Sequence, residues 1–138
     1  MSGFATVISD IGTIMTTAGY TKLVKPYQII PSNAIADKSW SYKLSVLDAE
    51  RDLNNAYINR LDGTMTLYMW RRLNSTNEEA TYETLITAFE TVIKALETKG
   101  SWTAGTLLNV QHKGTIFDYD NNNQLATAEI ELQLQYNI

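Results

Sequence analysis

The residues with the most suggestive ligand chemistry lie in DYDNNNQLATAE, residues 118–129. Both flanks alternate between apolar and polar residues, as strands do, whereas a helix–loop–helix calcium loop joins two helices. We therefore favour a hairpin turn, although the sequence alone leaves open whether residues 118–129 bind a cation. The oxygen-bearing side chains fall at positions 1, 3, 5, 7 and 12 of a calcium loop: Asp118, Asp120, Asn122, Gln124 and Glu129.

Catalytic chemistry has few candidate residues. His112 is the only histidine and the chain has no cysteine, so a transition-metal site or a nucleophile–histidine pair has almost no possible members. Glu129 and Glu131 would lie about 7 Å apart on one strand face, a spacing that suits an inverting glycosidase. Gln133 and Gln135 continue the same polar face, which favours a solvated or subunit-contacting surface. We expect no enzymatic activity, no catalytic residues and no cofactor.

Trp70, Arg71 and Arg72 combine an aromatic ring with two cations and could contact a phosphate backbone. The chain as a whole is acidic, with a formal charge of -4, whereas duplex nucleic acid requires a basic face. Charged residues make up 19% of the chain, which is below the roughly 25% of ordinary soluble domains. A surface with fewer charged groups costs less free energy to desolvate against another subunit than a highly charged surface does. We therefore assign Arg71, Arg72, Gln133 and Gln135 to an interface with neighbouring subunits.

The periodicity of the apolar residues predicts the elements that position these side chains. Apolar residues at helical spacing predict helices over residues 2–18 and 75–100. The connection over residues 20–38 contains both prolines, with a short strand near Gln28–Ile30, and DAERDLNNAYINRLDG (48–63) is predicted to be a polar loop. Two-residue alternation predicts four strands: one beginning at Ser39, then Thr64–Leu73, Leu107–Tyr119 and Gln124–Tyr136.

The order of elements is helix, strand, strand, helix, strand, strand. A helix needs an apolar surface under its apolar stripe, and each strand pair supplies one. The sequence therefore predicts an α+β fold, with a mostly antiparallel sheet and two main helices packed on one face. A chain of 138 residues forms one domain, 1–138. No apolar run approaches the roughly 20 residues of a membrane helix, so we expect no membrane partner.

The same order carries a resemblance over nearly all 138 residues. The helix FATVISDIGTIM precedes a proline-containing connection, the strand WSYKLSVLDAE, a polar loop and the strand GTMTLYMWRRL. The helix ETLITAFETVIKALET follows, and the chain ends on the alternating strand AEIELQLQY. In these features the chain resembles the tail terminator, or tail completion, proteins of long-tailed phages.

The resemblance implies a structural virion protein that forms a homo-oligomeric ring, a homohexamer. Such a ring caps the phage tail tube, stops its polymerisation and provides the surface for head–tail joining. Its location would be the head-proximal end of the tail in the virion, after assembly in the host cytoplasm. Its partners would be other copies of itself, the tail tube protein and a head-side connector or neck protein, with DNA only as passing cargo in the lumen.

The resemblance also matches residues 48–63 to the family's long inter-strand loop, which reaches toward the tube or lumen. The acidic residues Asp48, Glu50, Asp52 and Asp62 would then contribute to a negative lumen through which DNA slides. The interface residues would contact either a neighbouring subunit or the tube. The alternatives are a neck, tail-tube or baseplate subunit, a calcium-binding module, and a binding domain that presents the second helix to a partner.

Overall fold

The computed structural model describes residues 3–23, 35–51, 58–73, 76, 78–105 and 107–137. These residues form two α-helices, a five-stranded sheet and a short 3-10 turn at Lys99–Ser101, which confirms the predicted α+β class. No described helix is long and apolar enough to cross a membrane. The helices are α1 (Phe4–Thr17) and α2 (Glu78–Leu96), and the strands are β1 (Thr21–Lys22), β2 (Ser39–Arg51), β3 (Ile58–Arg72), β4 (Leu107–Asp120) and β5 (Leu125–Asn137).

The strands lie in the order β1-β2-β3-β5-β4. All pairs are antiparallel except β1 with β2, where Thr21 and Lys22 pair in parallel with Ser39 and Trp40. The inner strands β3 and β5 are therefore hydrogen-bonded on both sides. The long strands β2 and β4 form the two borders of the sheet, and β1 covers only the first two residues of β2.

One face of the sheet carries the core. Leu67 of β3 lies opposite Ile130 of β5 in the centre of the sheet, and both side chains are fully buried. Phe4 of α1 packs its ring 5.8 Å from Tyr42, so α1 lies on this face of β2. The predicted packing of both helices on one face is confirmed, because the same cluster holds buried side chains from α1, α2 and the sheet, including Val7, Ile11, Met15, Met65, Leu67, Leu85, Val92, Leu96, Ile130, Leu132 and Leu134.

The predicted polar loop over residues 48–63 is wrong at both of its ends, 48–51 and 58–63. Strand β2 continues to Arg51 and β3 begins at Ile58, so Asp48 lies directly opposite Asp62 in the ladder and Glu50 lies opposite Arg60. Asp48, Glu50 and Asp62, which we placed on a loop, are therefore strand residues at one end of the β2–β3 pair. Asp52 and the predicted strand Gln28–Ile30 lie outside the described residues.

The misplaced loop traces to Gly63, because an Asp-Gly pair such as Asp62-Gly63 is typical of a turn. It lies inside β3, opposite Leu47. A Cβ atom at this position would approach Leu47 Cδ1 and the Val46 carbonyl oxygen to 3.3 Å each. The glycine therefore serves a close approach between two strands, a second common reason for glycine in a strand.

Candidate interaction surface

We call the sheet face opposite the helices the open face, because neither described helix packs on it. Because side chains alternate along a strand, the open face is polar where the other face is core. Thr64 of β3 lies opposite the uncharged Gln133 of β5, and the next open-face residue of β3, Thr66, lies between Lys43 and Glu131. The open-face positions of the four long strands include Ser39, Ser41, Lys43, Val46 and Asp48 on β2, Arg60, Asp62, Thr64, Thr66, Tyr68 and Trp70 on β3, Thr127, Glu129, Glu131, Gln133 and Gln135 on β5, and Asn109, Gln111, Gly114, Ile116 and Asp118 on β4.

Gln133 and Gln135 both lie on this open face, and Gln133 is exposed. They belong to β5, which is an inner strand, so their backbone groups are paired on both sides. Any contact that they make with another molecule is therefore through the side chains, across the face of the sheet. An uncharged amide is cheaper to desolvate there than a lysine or glutamate would be.

Two carboxylates face each other at one end of the open face. Asp48 and Asp62 are direct cross-strand partners, and Asp62 is in turn opposite Gln135. Like charges in this position destabilise a strand pair by about 0.2–1 kcal/mol. Three of the four acidic residues predicted from the sequence thus lie together at the end of the β2–β3 hairpin, because Glu50 is two residues beyond Asp48 on β2.

Two stacked aromatic rings occupy the other end of the open face. The rings of Tyr68 and Trp70 are 5.5 Å apart and nearly parallel, with an interplanar angle of 7°. Burial raises the pKa of Tyr68, and the negative charge of Glu129, its partner on β5, raises that pKa further. The alternation of Tyr68 and Trp70 along β3 is a sequence signal for a shared face, but it does not reveal that the rings stack. The serines opposite them, Ser39 and Ser41, are buried.

Arg71, which we assigned to an interface, makes its contacts within the chain. Its Nε donates to Asp37 Oδ1 at 2.9 Å, and its other guanidinium nitrogen donates to Thr84 Oγ1 of α2 at 2.6 Å. The guanidinium group thus ties the residues before β2 to helix α2. Its side chain is 15% exposed, so little of it is available to a neighbouring subunit.

Arg72, the second of the two arginines, lies at the end of β3 and donates hydrogen bonds to the segment before β2 and to the turn between β4 and β5. Its Nε donates to the Ile35 carbonyl oxygen at 2.7 Å, and another guanidinium nitrogen donates to the Asn123 carbonyl oxygen at 3.1 Å. Its backbone N–H donates to Asp37 Oδ1 at 2.8 Å. An interface role for Arg71 and Arg72 remains a prediction, and both arginines already hold this chain together.

The pKa values of Asp37 and Tyr20, which lie near Arg71, are shifted by their surroundings. Burial opposes the charge on Asp37, but hydrogen bonds from the Arg72 backbone and the Arg71 side chain outweigh burial and lower the pKa of Asp37. Burial raises the pKa of nearby Tyr20, and the positive charge of Arg71 acts against that rise. The Tyr20 hydroxyl has no hydrogen-bond partner of good geometry in the described part of the chain.

Residues 120–124, the centre of the segment considered as a calcium loop, form a hairpin turn. Asp120 Oδ1 accepts the backbone N–H of Asn122 at 3.0 Å, and Oδ2 accepts the side-chain amide of Asn123 at 2.9 Å. Gln124 completes the turn with φ +50°. Glu129, the expected twelfth ligand, lies within β5 opposite Ile116. Among the described residues no three histidine, cysteine, aspartate or glutamate side chains are placed to share a metal ion.

His112 faces helix α2, not the open face. Its Nε2 is 2.7 Å from Thr115 Oγ1, and its ring centre is 5.9 Å from that of Phe89. A cavity of about 910 Å³ lies beside it, between β4 and the residues that follow α2. Its walls include the apolar side chains of Leu96 and Trp102, and Trp102 is held by an indole N–H bond to the Leu96 carbonyl oxygen at 2.9 Å.

No protein-family model matches this chain, and no curated protein matches it. Twenty-seven chains of solved structures do match its fold. One of them is described as belonging to the virion of a native gene transfer agent particle. The match has a TM-score of 0.59 at 12% sequence identity, and it covers 97% of this chain and 93% of the other. At this identity the likeness establishes a shared fold.

Proposed function

We propose that this chain is a structural subunit of a phage-like virion. The observation that carries the proposal is the near end-to-end likeness to a chain of a gene transfer agent virion, with a TM-score of 0.59 over 97% of this chain. A partial match would leave room for an unrelated shared motif, whereas this one spans both helices and the whole sheet. The open face supports the proposal, because no described helix covers it and its uncharged residues, such as Thr64 and Gln133, cost little to desolvate against another subunit.

Within the virion, we propose the role of tail terminator, a hexameric ring at the head-proximal end of the tail. Such a ring would cap the tail tube, stop its polymerisation and meet the head-side connector. The sequence resemblance supports this role through the order of its helices and strands. The acidic end of the hairpin, with Asp48 opposite Asp62, supports it too, because a negative lumen lets DNA pass without binding.

A tail-tube subunit is the second candidate, and one observation favours it. Strands β2 and β3 remain paired out to Arg51 and Ile58, while β5 ends opposite Arg60. The hairpin therefore extends slightly beyond the rest of the sheet. A long hairpin of this kind is what a tube subunit needs to stack one ring on the next.

The test is to measure the mass of the purified chain, alone and with the tail tube protein of the same virion. A terminator gives a closed ring, or a monomer that assembles only on tube ends, and it shortens the tubes seen by electron microscopy. A tube subunit polymerises by itself into long tubes. A persistent monomer that leaves tube length unchanged would contradict both virion roles.

The same experiment also tests the lumen position that we propose for Asp48 and Asp62. The variant Asp62→Asn removes the like charge opposite Asp48 while keeping the size of the side chain, and it leaves Asp48 on the border strand β2 unchanged. We expect rings or tubes to form as before, with increased retention of added DNA in a filter-binding assay. DNA retention equal to that of the unmodified ring would argue against a lumen position for these two residues.

A further inference from the structure

Among the described residues, the exposed large apolar side chains all lie on the two border strands of the sheet. Val46 is 49% exposed and Leu47 44% on β2, and Ile116 is 66% exposed on β4. No other described strand pairs with the outer edge of β4, and on β2 the described strand β1 covers only Ser39 and Trp40. An edge strand with exposed apolar residues is a template for pairing with another strand.

The strand directions determine how two copies can meet. Neighbouring long strands are antiparallel, so β2 and β3 run in opposite directions, β3 and β5 do too, and so do β5 and β4. Across these four strands β2 and β4 are therefore antiparallel to each other. When a second copy is placed beside the first without turning it over, β4 of one copy meets β2 of the next in antiparallel orientation, as a head-to-tail ring requires.

We infer that copies of this chain join through these edges, β4 of one copy pairing with β2 of the next in the register that sets Ile116 opposite Val46. The inference rests on the proposed function, because it supplies the contact between identical subunits of a ring. Val46 and Ile116 both lie on the open face, since their partners are Thr64 and Glu129. Their pairing therefore keeps the two open faces continuous.

The same register matches charge on the open face. Ser45 is a bulge residue on β2, so the pair after Val46 and Ile116 is Leu44 with Phe117, and the next is Lys43 with Asp118. A lysine and an aspartate then lie directly opposite each other, which stabilises a strand pair.

In the other direction along the strands, the bulge residue of β4 meets the acidic end of β2. Asp48 comes opposite Gly114, next to the cationic bulge residue Lys113. In the level alternative, Gly114 is in the same row as Lys43, and Lys113 of one copy would lie beside Lys43 of the next. Charge therefore favours the staggered register over the level one.

The stagger also suits closure. Within one copy Val46 lies in the same row as Thr64, Gln133 and Gln111. Moving from Gln111 to Ile116 passes the bulge residue Lys113, so the partner shifts by four paired residues across four long strands. The displacement is therefore one residue per strand. A closed eight-stranded barrel with shear 8 has the same displacement per strand, and its strands tilt by about 36°. The register is therefore compatible with a sheet that closes into a ring.

Because the chain has no cysteine, introduced cysteines test this register directly. The test chain carries Val46→Cys and Ile116→Cys, and the matched control carries Val46→Cys and Gln111→Cys, which reports the level register from another exposed position on the same face. We expect mild oxidation to give a reducible ladder of covalent multimers that ends at the ring size. The control should give at least tenfold less product.

A charge exchange tests the same register without a covalent link. Lys43→Glu should weaken assembly by about two- to fivefold per contact, because it replaces a cross-strand ion pair by two like charges. Combining Lys43→Glu with Asp118→Lys should restore it, because the pair is rebuilt with its charges reversed. Lys94→Glu on exposed α2 is the control for a general charge effect and should leave assembly unchanged.

The outcomes separate this inference from the proposed function. Rings visible by electron microscopy that do not crosslink between positions 46 and 116 would overturn the edge register and leave the ring standing. Equal crosslinking in the level control, or of Val46→Cys alone to itself, would also overturn it. A ladder that never closes would support the pairing and count against a ring. Monomers that never crosslink, even with tube protein present, would overturn both.

Discussion

Replacing Arg71 by alanine should destabilise the isolated subunit, although its place in an RR pair suggests a dispensable surface charge. The guanidinium group joins Asp37, from the segment before β2, to Thr84 of α2 through hydrogen bonds of 2.9 and 2.6 Å. These two partners lie on opposite sides of Arg71 in the sequence, 34 residues before it and 13 after it. Removing the side chain therefore releases two separate segments at once.

The magnitude follows from exposure. Asp37 is 45% exposed, so the ion pair contributes roughly 0.5–1 kcal/mol after solvent screening. The hydrogen bond to Thr84 has a charged donor and a neutral, exposed acceptor, which places it near the low end of about 1.5–3 kcal/mol. We expect Arg71→Ala to lower the free energy of unfolding by about 2–3 kcal/mol. Arg71→Lys should recover less than half, because an ammonium cannot span both partners.

Urea denaturation at neutral pH measures this difference, at a protein concentration low enough that assembly adds no stability. Lys113→Ala, at an exposed bulge, is the control and should change the unfolding free energy by less than about 0.5 kcal/mol. A double-mutant cycle with Asp37→Ala should give a coupling of about 0.5–1 kcal/mol. If Arg71→Ala unfolds at the same urea concentration as the parent chain, the reasoning from these contacts is wrong.

Three further predictions concern the core, the pH response and calcium. Leu132→Ala should cost about 2–5 kcal/mol in urea, because Leu132 is fully buried, whereas the neighbouring Gln133→Ala on the open face should cost under about 0.5 kcal/mol. The lowered pKa of Asp37 means that the unfolded chain binds more protons in acid, so stability should fall as the pH drops below about 4. Asp37→Asn should flatten that fall, and an unchanged slope would contradict the assignment. Millimolar calcium should leave the melting temperature unchanged, since Asp120 is committed to its turn and Glu129 to β5; a clear rise would revive the calcium loop.

Short-range pattern accounts for the parts of the fold that were predicted correctly. Strand β5 alternates between the core and the open face, with Leu132 and Leu134 buried and Gln133 exposed between them. One buried face produces a two-residue period that is visible in the sequence. The α2 stripe is visible for the same reason at helical spacing, and Leu85, Val92 and Leu96 are buried as that stripe requires.

Long-range contacts account for what was missed. Arg72 donates to carbonyl oxygens that are 37 and 51 residues away, and no local pattern reports such partners. The pairing of Asp48 with Asp62 was missed because acidic residues and an Asp-Gly pair have loop-like composition, although here they extend a hairpin. The two-residue strand β1 is too short to produce any period, and its parallel pairing depends on where the chain returns.

The position of β5 also dictates an order of events during synthesis. In chain order it follows the other four described strands, and among them it is the one that joins β4 to the rest of the sheet. As the polypeptide emerges from the ribosome, β4 has no partner until the residues of β5 appear. Hydrogen bonding between β4 and β5 can then form a local hairpin, and the β5 strand of this hairpin pairs with the flank of β3 that has no partner before then. A nascent chain stalled before Leu125 would leave that flank bare and prone to aggregation.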